Sequence, residues 1–336
     1  MFKKTEKEIM TKWLSSQDNP VVSIACLTYN HEKYLEDALD SFLMQETEFP
    51  FEIIVHDDAS TDQNASIIMD YANRYPNIIK PIIQTVNQYS IHKRISIDFI
   101  FNEVKGQYVA FCEGDDYWTD KLKLQKQYNA LENNKELNLC LHWADLLDEP
   151  TGGKVGTIGN YPVNSDFPVI PFSDVVNKPY GQIPTASTFI RATVLPDLNA
   201  FFTESKSSIF DIFLHMIAAK GHGAYLIPEA MSVYRVNVPG SWNDNLTKGK
   251  IDNHVFKRVE AFKVLENFVD ENEVEILRKA SYNSFLFTLK IPYASRATKL
   301  KVLKTIGKEL PLSQWLYFKV IAELNVIHRL FAKLVG

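Results

Sequence analysis

The run Tyr108-Val-Ala-Phe-Cys-Glu-Gly-Asp-Asp-Tyr-Trp118 carries an uncharged segment straight into a cluster of acids. Residues 108–112 favour extended backbone and predict a buried strand, which runs into Glu113, Gly114, Asp115 and Asp116. Adjacent carboxylates at the end of a buried strand repel one another, and the arrangement is costly unless a cation or a ring of donors compensates. A hard divalent ion such as Mg²⁺ or Mn²⁺ would compensate and would in turn attract a diphosphate. A polar turn of solvated acids is the other reading of the same residues.

Two upstream runs end in a similar way. Val21–Leu27 leads into Thr28-Tyr29-Asn30, and Phe51–Val55 leads through His56 into Asp57-Asp58-Ala-Ser-Thr-Asp62. Between them Tyr34, Leu35, Ala38, Leu39, Phe42 and Leu43 recur at helical spacing. A further helix is predicted over 63–75, capped by Ser60, Thr61 or Asp62 and stopped near Pro76. Ile78–Gln84 predicts a third strand, 87–105 contains a helix, and Gly106 introduces the central strand. Strands alternating with helices predict an α/β fold with a mainly parallel sheet covered on both faces. Such sheets bind ligands beyond the carboxyl ends of their strands. Three strands ending in hydrogen-bonding clusters on one edge favour a binding site over three unrelated turns.

Downstream, Lys121–Asn133 predicts a helix and Leu137–Trp143 a strand, while 148–182, rich in Gly, Pro and Asn, predicts an excursion from the core. Thr185–Arg191 reads as a strand carrying the hydroxyls of Thr185 and Ser187. Asp211 opens a helix with apolar Ile212, Phe213, Met216 and Ile217 that ends at Gly221; taken alone, it is an acid favourable to the helix dipole. Tyr225–Ile227 and Met231–Arg235 read as two short strands. No Walker-type or Gly-x-Gly-x-x-Gly loop occurs, and His31, His56, His92 and His142 lack metal-ligand spacing and read as structural.

The 336-residue chain, 46% hydrophobic, can bury a sizeable core, and its net charge of −5 argues against nucleic-acid binding through bulk charge. The charge is unevenly spread. From Arg278 to Gly336 eleven Lys/Arg face only Glu309 and Glu323, a local +9 that leaves the first 277 residues at −14. This end predicts helices over Ile251–Val269, Glu273–Leu289 and Lys299–Leu310. They are followed by an apolar stripe of Leu316, Val320, Leu324, Ile327, Phe331 and Leu334 flanked by Lys319, Arg329 and Lys333. Such a stripe packs on its own domain or lies in an anionic membrane interface. Three widely spaced cysteines, no signal-like N-terminus and no apolar run of 18 residues predict a reduced cytoplasmic protein, peripheral at most on the inner membrane.

Val22-Ser-Ile-Ala-Cys-Leu-Thr-Tyr-Asn30, Glu52-Ile-Ile-Val-His-Asp-Asp-Ala-Ser-Thr-Asp62 and Glu113-Gly-Asp-Asp-Tyr-Trp118, in this order and spacing, resemble family 2 glycosyltransferases of the GT-A fold, especially bacterial enzymes of surface-polysaccharide synthesis. The resemblance covers about residues 20–240. It implies a GT-A domain over 20–245, with a nucleotide half at 20–120 and an acceptor half at 121–245. A helical lead-in at 1–19 and a basic helical region at 246–336 flank it. It further implies that Thr28, Tyr29 and Asn30 line the nucleotide pocket, that Asp57 accepts a hydrogen bond from the base, and that Asp58 supports the turn. Asp116 would be the metal ligand, with Asp115 on the ribose and beside the metal, and the cofactor would be Mn²⁺ or Mg²⁺. Trp118 would stand near the acceptor, with Thr185 and Ser187 lining it, and Asp211 would be the general base. Arg235 and Asn237 would contact the diphosphate, although Asn237 stands where relatives often carry histidine.

The expected reaction is inverting transfer of a hexose from a nucleotide-sugar donor, UDP-Glc, UDP-Gal or an N-acetylhexosamine equivalent. The acceptor would be an undecaprenyl-diphosphate-linked saccharide or another glycan, with a β-linkage for an α-linked donor. A sugar-phosphate nucleotidyltransferase shares the carboxylate logic but needs a Gly-rich basic loop that residues 28–34 lack. A non-catalytic nucleotide-sugar-binding module is the third reading.

Overall fold

The structure, a computed structural model, describes residues 3–13, 19–92, 94–163, 168–177, 183–239, 251–290 and 295–322. The chain divides into two compact units, Met1–Val238 and Pro239–Gly336.

The first unit opens with helix α1 (Glu6–Met10), whose Thr5 and Glu8 cap each other's backbone, and continues through β1 (Val22–Thr28), α2 (Leu35–Leu43), β2 (Phe51–Asp57), α3 (Asn64–Arg74) and β3 (Ile79–Ile83). α4 (Gln88–Ile91), a π-turn (Ser96–Ile100), β4 (Tyr108–Phe111), β5 (Tyr117–Trp118) and α5 (Lys123–Asn133) follow. The second half holds β6 (Leu139–Asp148), β7 (Gly153–Ile158), β8 (Val169–Ile170), α6 (Phe172–Asn177), β9 (Phe189–Arg191), α7 (Leu195–Ser205), α8 (Asp211–Ala219) and β10 (Ala224–Val236). The main strand order is β3-β2-β1-β4-β9-β6-β10-β5, with β7 on β6 and β8 on β10. β3, β2, β1 and β4 run parallel, while β9 is antiparallel to both its neighbours, giving a mixed, mainly parallel sheet. β2 is buried along its whole length, as a strand covered on both faces must be, which explains its run of apolar residues without alternation.

Several boundaries differ from the sequence expectation. The excursion over 148–182 contains β7, β8 and α6. Helix α7, which has no expectation to match it, follows β9. Thr185–Ser187 forms a 3₁₀ turn, closed by Ser187 N donating to Pro184 O at 2.9 Å, so the strand begins only at Phe189. The two short strands expected at 225–235 are one strand, β10, with register shifts either side of Ala230. Pro228 lies in the irregular stretch, where a residue without an N–H is tolerated.

The second unit holds α9 (Ile251–Leu265), α10 (Glu271–Lys290), α11 (Arg296–Ile306) and a further helix, α12, over 312–322. Phe285, Leu289, Val302, Leu303, Ile306, Phe318 and Ala322 form its core. In its described part the predicted stripe is not the packed face. Phe318 and Ala322, four apart, make the buried face of α12, whereas Leu316 and Val320 are exposed together with Leu312 and Tyr317. Helical spacing marks a face without saying which one packs inward. Leu324, Ile327, Phe331 and Leu334 lie outside the described residues. Among the described residues no helix is long and apolar enough to cross a membrane.

Candidate active site

β2, β1 and β4 are parallel neighbours, so their carboxyl ends lie on one edge. Thr28 is in register with Asp57 and Ala25 with Phe111. The ladder continues beyond the strands: Asp58 N donates to Thr28 O at 3.2 Å, and Gly114 N donates to Leu27 O at 2.8 Å. Gly114 meets Thr28 closely. A Cβ at Gly114 would stand 2.6 Å from Thr28 Oγ1 and 2.7 Å from its Cβ. Because Thr28 is itself buried and bonded, Gly114→Ala is expected to lower stability by about 2 kcal/mol and displace the acidic turn, measurable as a lowered urea midpoint.

The residues expected to line the nucleotide pocket divide into two groups. Thr28, Asn30 and Asp57 stitch the β1 and β2 turns to each other. Asn64 Nδ2 donates to Thr28 Oγ1 at 2.7 Å and to Asp57 Oδ1 at 3.0 Å, and Ser60 N donates to Asp57 Oδ2 at 3.1 Å. Asn30 N donates to Ser60 Oγ at 2.8 Å, and Thr61 N to Asn30 Oδ1 at 2.8 Å. Both Asp57 oxygens thus already serve internal donors, and the residue is 1% exposed. Asp58 accepts Gln88 N at 2.7 Å and Tyr89 N at 3.0 Å, pinning α4 beside the edge. Tyr29, by contrast, is 44% exposed, and Val86, Tyr89 and Ile91 are exposed around α4.

Glu113, Asp115 and Asp116 place carboxylate oxygens within 4.8 Å of one another. At that range like charges cost on the order of 3 kcal/mol per pair in a protein-like dielectric. Burial, then the charges of Asp115 and Asp211, pushes Glu113 up to about 8. Burial and Asp115 raise Asp116 well above the usual carboxylate range, against the hydrogen bond from Arg235 N. That bond, 2.9 Å long, occupies Asp116 Oδ1, while Oδ2 is buried without a protein partner. Three hard oxygen donors with one buried orphan fit a divalent cation such as Mg²⁺ or Mn²⁺.

Asp211 opens α8 within electrostatic reach of this cluster, since its charge contributes to raising both Glu113 and the Tyr234 phenol. The expectation omitted Glu113 and Tyr234 from the site, and also Tyr89, whose phenol is raised by burial and by Glu113. Glu113 was visible as the first acid of the motif. The two tyrosines carried no local signal, because only the tertiary fold turns them toward the acids.

Five residues expected at the site bond or pack elsewhere in this structure. Trp118 is 1% exposed, donates from Nε1 to Ala186 O at 3.0 Å and packs on Phe42, within the core. Ser187 is fully buried, with its hydroxyl on Pro184 O at 2.7 Å, and Thr185 stands in the same 3₁₀ turn, not on a strand facing acceptor. Asn237 donates to Asp148 Oδ1 at 2.6 Å. Arg235 is spent on protein groups: Nη1 donates to Asp115 O at 2.6 Å and Nη2 to Asp37 Oδ2 at 2.5 Å.

Behind Trp118 lies Lys123, fully buried, its Nζ 3.8 Å from the indole centroid and 2.8 Å from Gln127 Oε1. Burial lowers this amine from 10.5 to about 7. Between those values the unfolded chain holds a proton that the folded chain does not, so stability rises with pH across the window and is flat below it. Urea unfolding should show this chain gaining about 2 kcal/mol between pH 7 and 9 from this group, and Lys123→Met should lose that difference while being more stable at pH 7. An unchanged pH slope in the variant would remove the buried amine as its source.

An edge of parallel strands carrying an acid cluster, with a further acid at a helix start within electrostatic reach, has the arrangement of a GT-A fold. The model of glycosyl transferase family 2 matches residues 23–192, and the chain belongs to this family. It is 34% identical over 229 residues to the uncharacterized protein Rv1520 of Mycobacterium tuberculosis, spanning 67% of this chain and 62% of that relative's length. It is 31% identical over 118 residues to the putative teichuronic acid biosynthesis glycosyltransferase TuaG of Bacillus subtilis, 35% of this chain and 42% of TuaG. The fold is similar to that of Staphylococcus aureus TarS residues 1–349 in complex with UDP, with a TM-score of 0.59 at 18% identity over 93% of this chain and 91% of that one.

Proposed function

We propose that this glycosyltransferase moves a hexosyl group with inversion from a UDP-sugar to a lipid-linked or other glycan acceptor in bacterial surface-polysaccharide synthesis. The observation that carries the reading is the acid cluster at the shared strand edge, with Asp116 Oδ2 buried and unpartnered and Asp211 facing it electrostatically. Likeness to a UDP-bound TarS and to TuaG supports the donor and the product class.

In this reading Glu113, Asp115 and Asp116 would hold a divalent cation, which when bound stabilises charge on the departing diphosphate as a Lewis acid. Tyr29 offers an exposed ring on which a base can stack, and Asp58 holds α4 where it can border the donor. Asp211 accepts the proton of the acceptor hydroxyl as that oxygen forms its bond to the anomeric carbon and the carbon–diphosphate bond breaks. Attack opposite the leaving group inverts the centre, giving a β-glycoside from an α-linked donor.

The test is a thermal-shift panel of UDP, GDP, dTDP and CDP, each with Mn²⁺ and with EDTA. A nucleotide at about 100 times its dissociation constant stabilises by about 2.7 kcal/mol. Stabilisation by UDP only with Mn²⁺ is the expected result; no shift with any nucleotide overturns the reading.

The second unit is proposed to contact an anionic membrane surface at the cytoplasmic face. Phe287, Leu312, Leu316, Tyr317 and Val320 are exposed in a region of net positive charge. Leu316→Glu with Tyr317→Glu is expected to reduce co-sedimentation with vesicles containing anionic lipid several-fold; unchanged sedimentation argues against this face.

A further inference from the structure

Arg235 sits at the junction of three elements around the acid cluster. Its guanidinium donates to the Asp115 carbonyl at 2.6 Å and to Asp37 of α2 at 2.5 Å, and Nε lies 3.7 Å from Glu149 beyond the end of β6. The rings of Tyr34 and Tyr117 flank the guanidinium carbon, with centroids at 5.0 and 4.6 Å. The side chain is 6% exposed, so its donors are committed within the protein. Its own backbone N–H also holds Asp116 Oδ1 at 2.9 Å, which leaves Oδ2 as the carboxylate's unpartnered oxygen. One residue therefore grips the acidic turn twice: by the carbonyl of Asp115 and by the carboxylate of Asp116.

Three mutually repelling carboxylates would spread apart unless something else held the turn. A planar guanidinium bonding two groups at once, clamped between two rings, supplies that restraint; a lysine ammonium carries the charge without the fork. We infer that Arg235 is a positioning residue that holds the Glu113–Asp116 turn in a cation-ready arrangement and ties it to α2 through Asp37. The inference rests on the metal-dependent reading above and assigns Arg235 to the protein side of the site, in place of a diphosphate contact.

The test measures Mn²⁺ binding to the full chain by the electron paramagnetic resonance signal of free Mn²⁺, with and without UDP, beside a thermal melt. Arg235→Lys is expected to fold and to bind Mn²⁺ about 10-fold or more weakly, the usual scale for losing a group that orients metal ligands. Asp37→Asn, whose side chain is 60% exposed, should fold as the parent does and weaken Mn²⁺ binding several-fold. Should Arg235→Lys fail to fold, Asp37→Asn alone decides. Parent-like Mn²⁺ affinity in the folded variants would reduce Arg235 to a fold-stabilising residue and overturn the inference while leaving the proposed function standing. A parent chain that takes up no Mn²⁺, with or without UDP, overturns the metal reading and this inference together.

Discussion

Asp116→Asn is expected to melt about 4 °C higher than the parent chain in EDTA, yet to lose sugar transfer by about a thousandfold and all stabilisation by UDP with Mn²⁺. The two effects have one cause. The Asp116 carboxyl is buried beside Asp115 and Glu113, and removing its charge relieves a repulsion that the metal-free protein must otherwise carry. Asparagine keeps the oxygen that accepts from Arg235 N, so the turn need not move. It replaces the orphaned Oδ2 with an amide that can donate to a neighbouring carboxylate and cannot ligate a hard cation. A variant that is less stable in EDTA, or that retains metal-dependent nucleotide binding, would show that Asp116 is held by something other than charge crowding.

Asp211→Asn should separate chemistry from binding. With the proposed proton acceptor gone, turnover is expected to fall by about 10³-fold to 10⁴-fold, while the thermal shift with UDP and Mn²⁺ stays at the parent value. The position favours this split. Asp211 starts α8, outside the β1–β2 turns, and interacts with Glu113 through its charge. The substitution also removes one of the charges raising Glu113, so the metal-free fold should tolerate it. Comparison of kcat with the nucleotide-dependent melt decides the matter: retained turnover would take Asp211 out of the proton-accepting role, and a lost melt shift would make it part of the donor site.

The sheet edge was legible because parallel strands separated by helices necessarily end on the same side, and Thr28, Asp57 and the Glu113–Asp116 cluster each follow an uncharged run. Which way each polar side chain points was not legible. Asn30 and Ala59 have φ near +60°, and these left-handed turns direct Asp57 inward onto Ser60 and Asn64 while Tyr29 remains exposed. The burial of Trp118 is not legible in the sequence for a related reason. Two residues past the acids the chain pairs antiparallel with β10, Trp118 against Ser232, and the indole turns into the core. The role of Arg235 is equally non-local, since its partners Asp37 and Asp115 lie 198 and 120 residues away.

The stitching of the β1 and β2 turns has a consequence for redesign. Asn64 serves Thr28, Asp57 and Ser60 at once, and across the same seam Glu32 N donates to Asp62 Oδ2 and Gln63 N to Glu32 Oε2. Exchanging Asp57 to change base preference would break the joint between two strands before it changed any contact with a ligand. Tyr29, Val86 and Ile91 are exposed and take no part in this seam, and a library aimed at a different nucleotide belongs there.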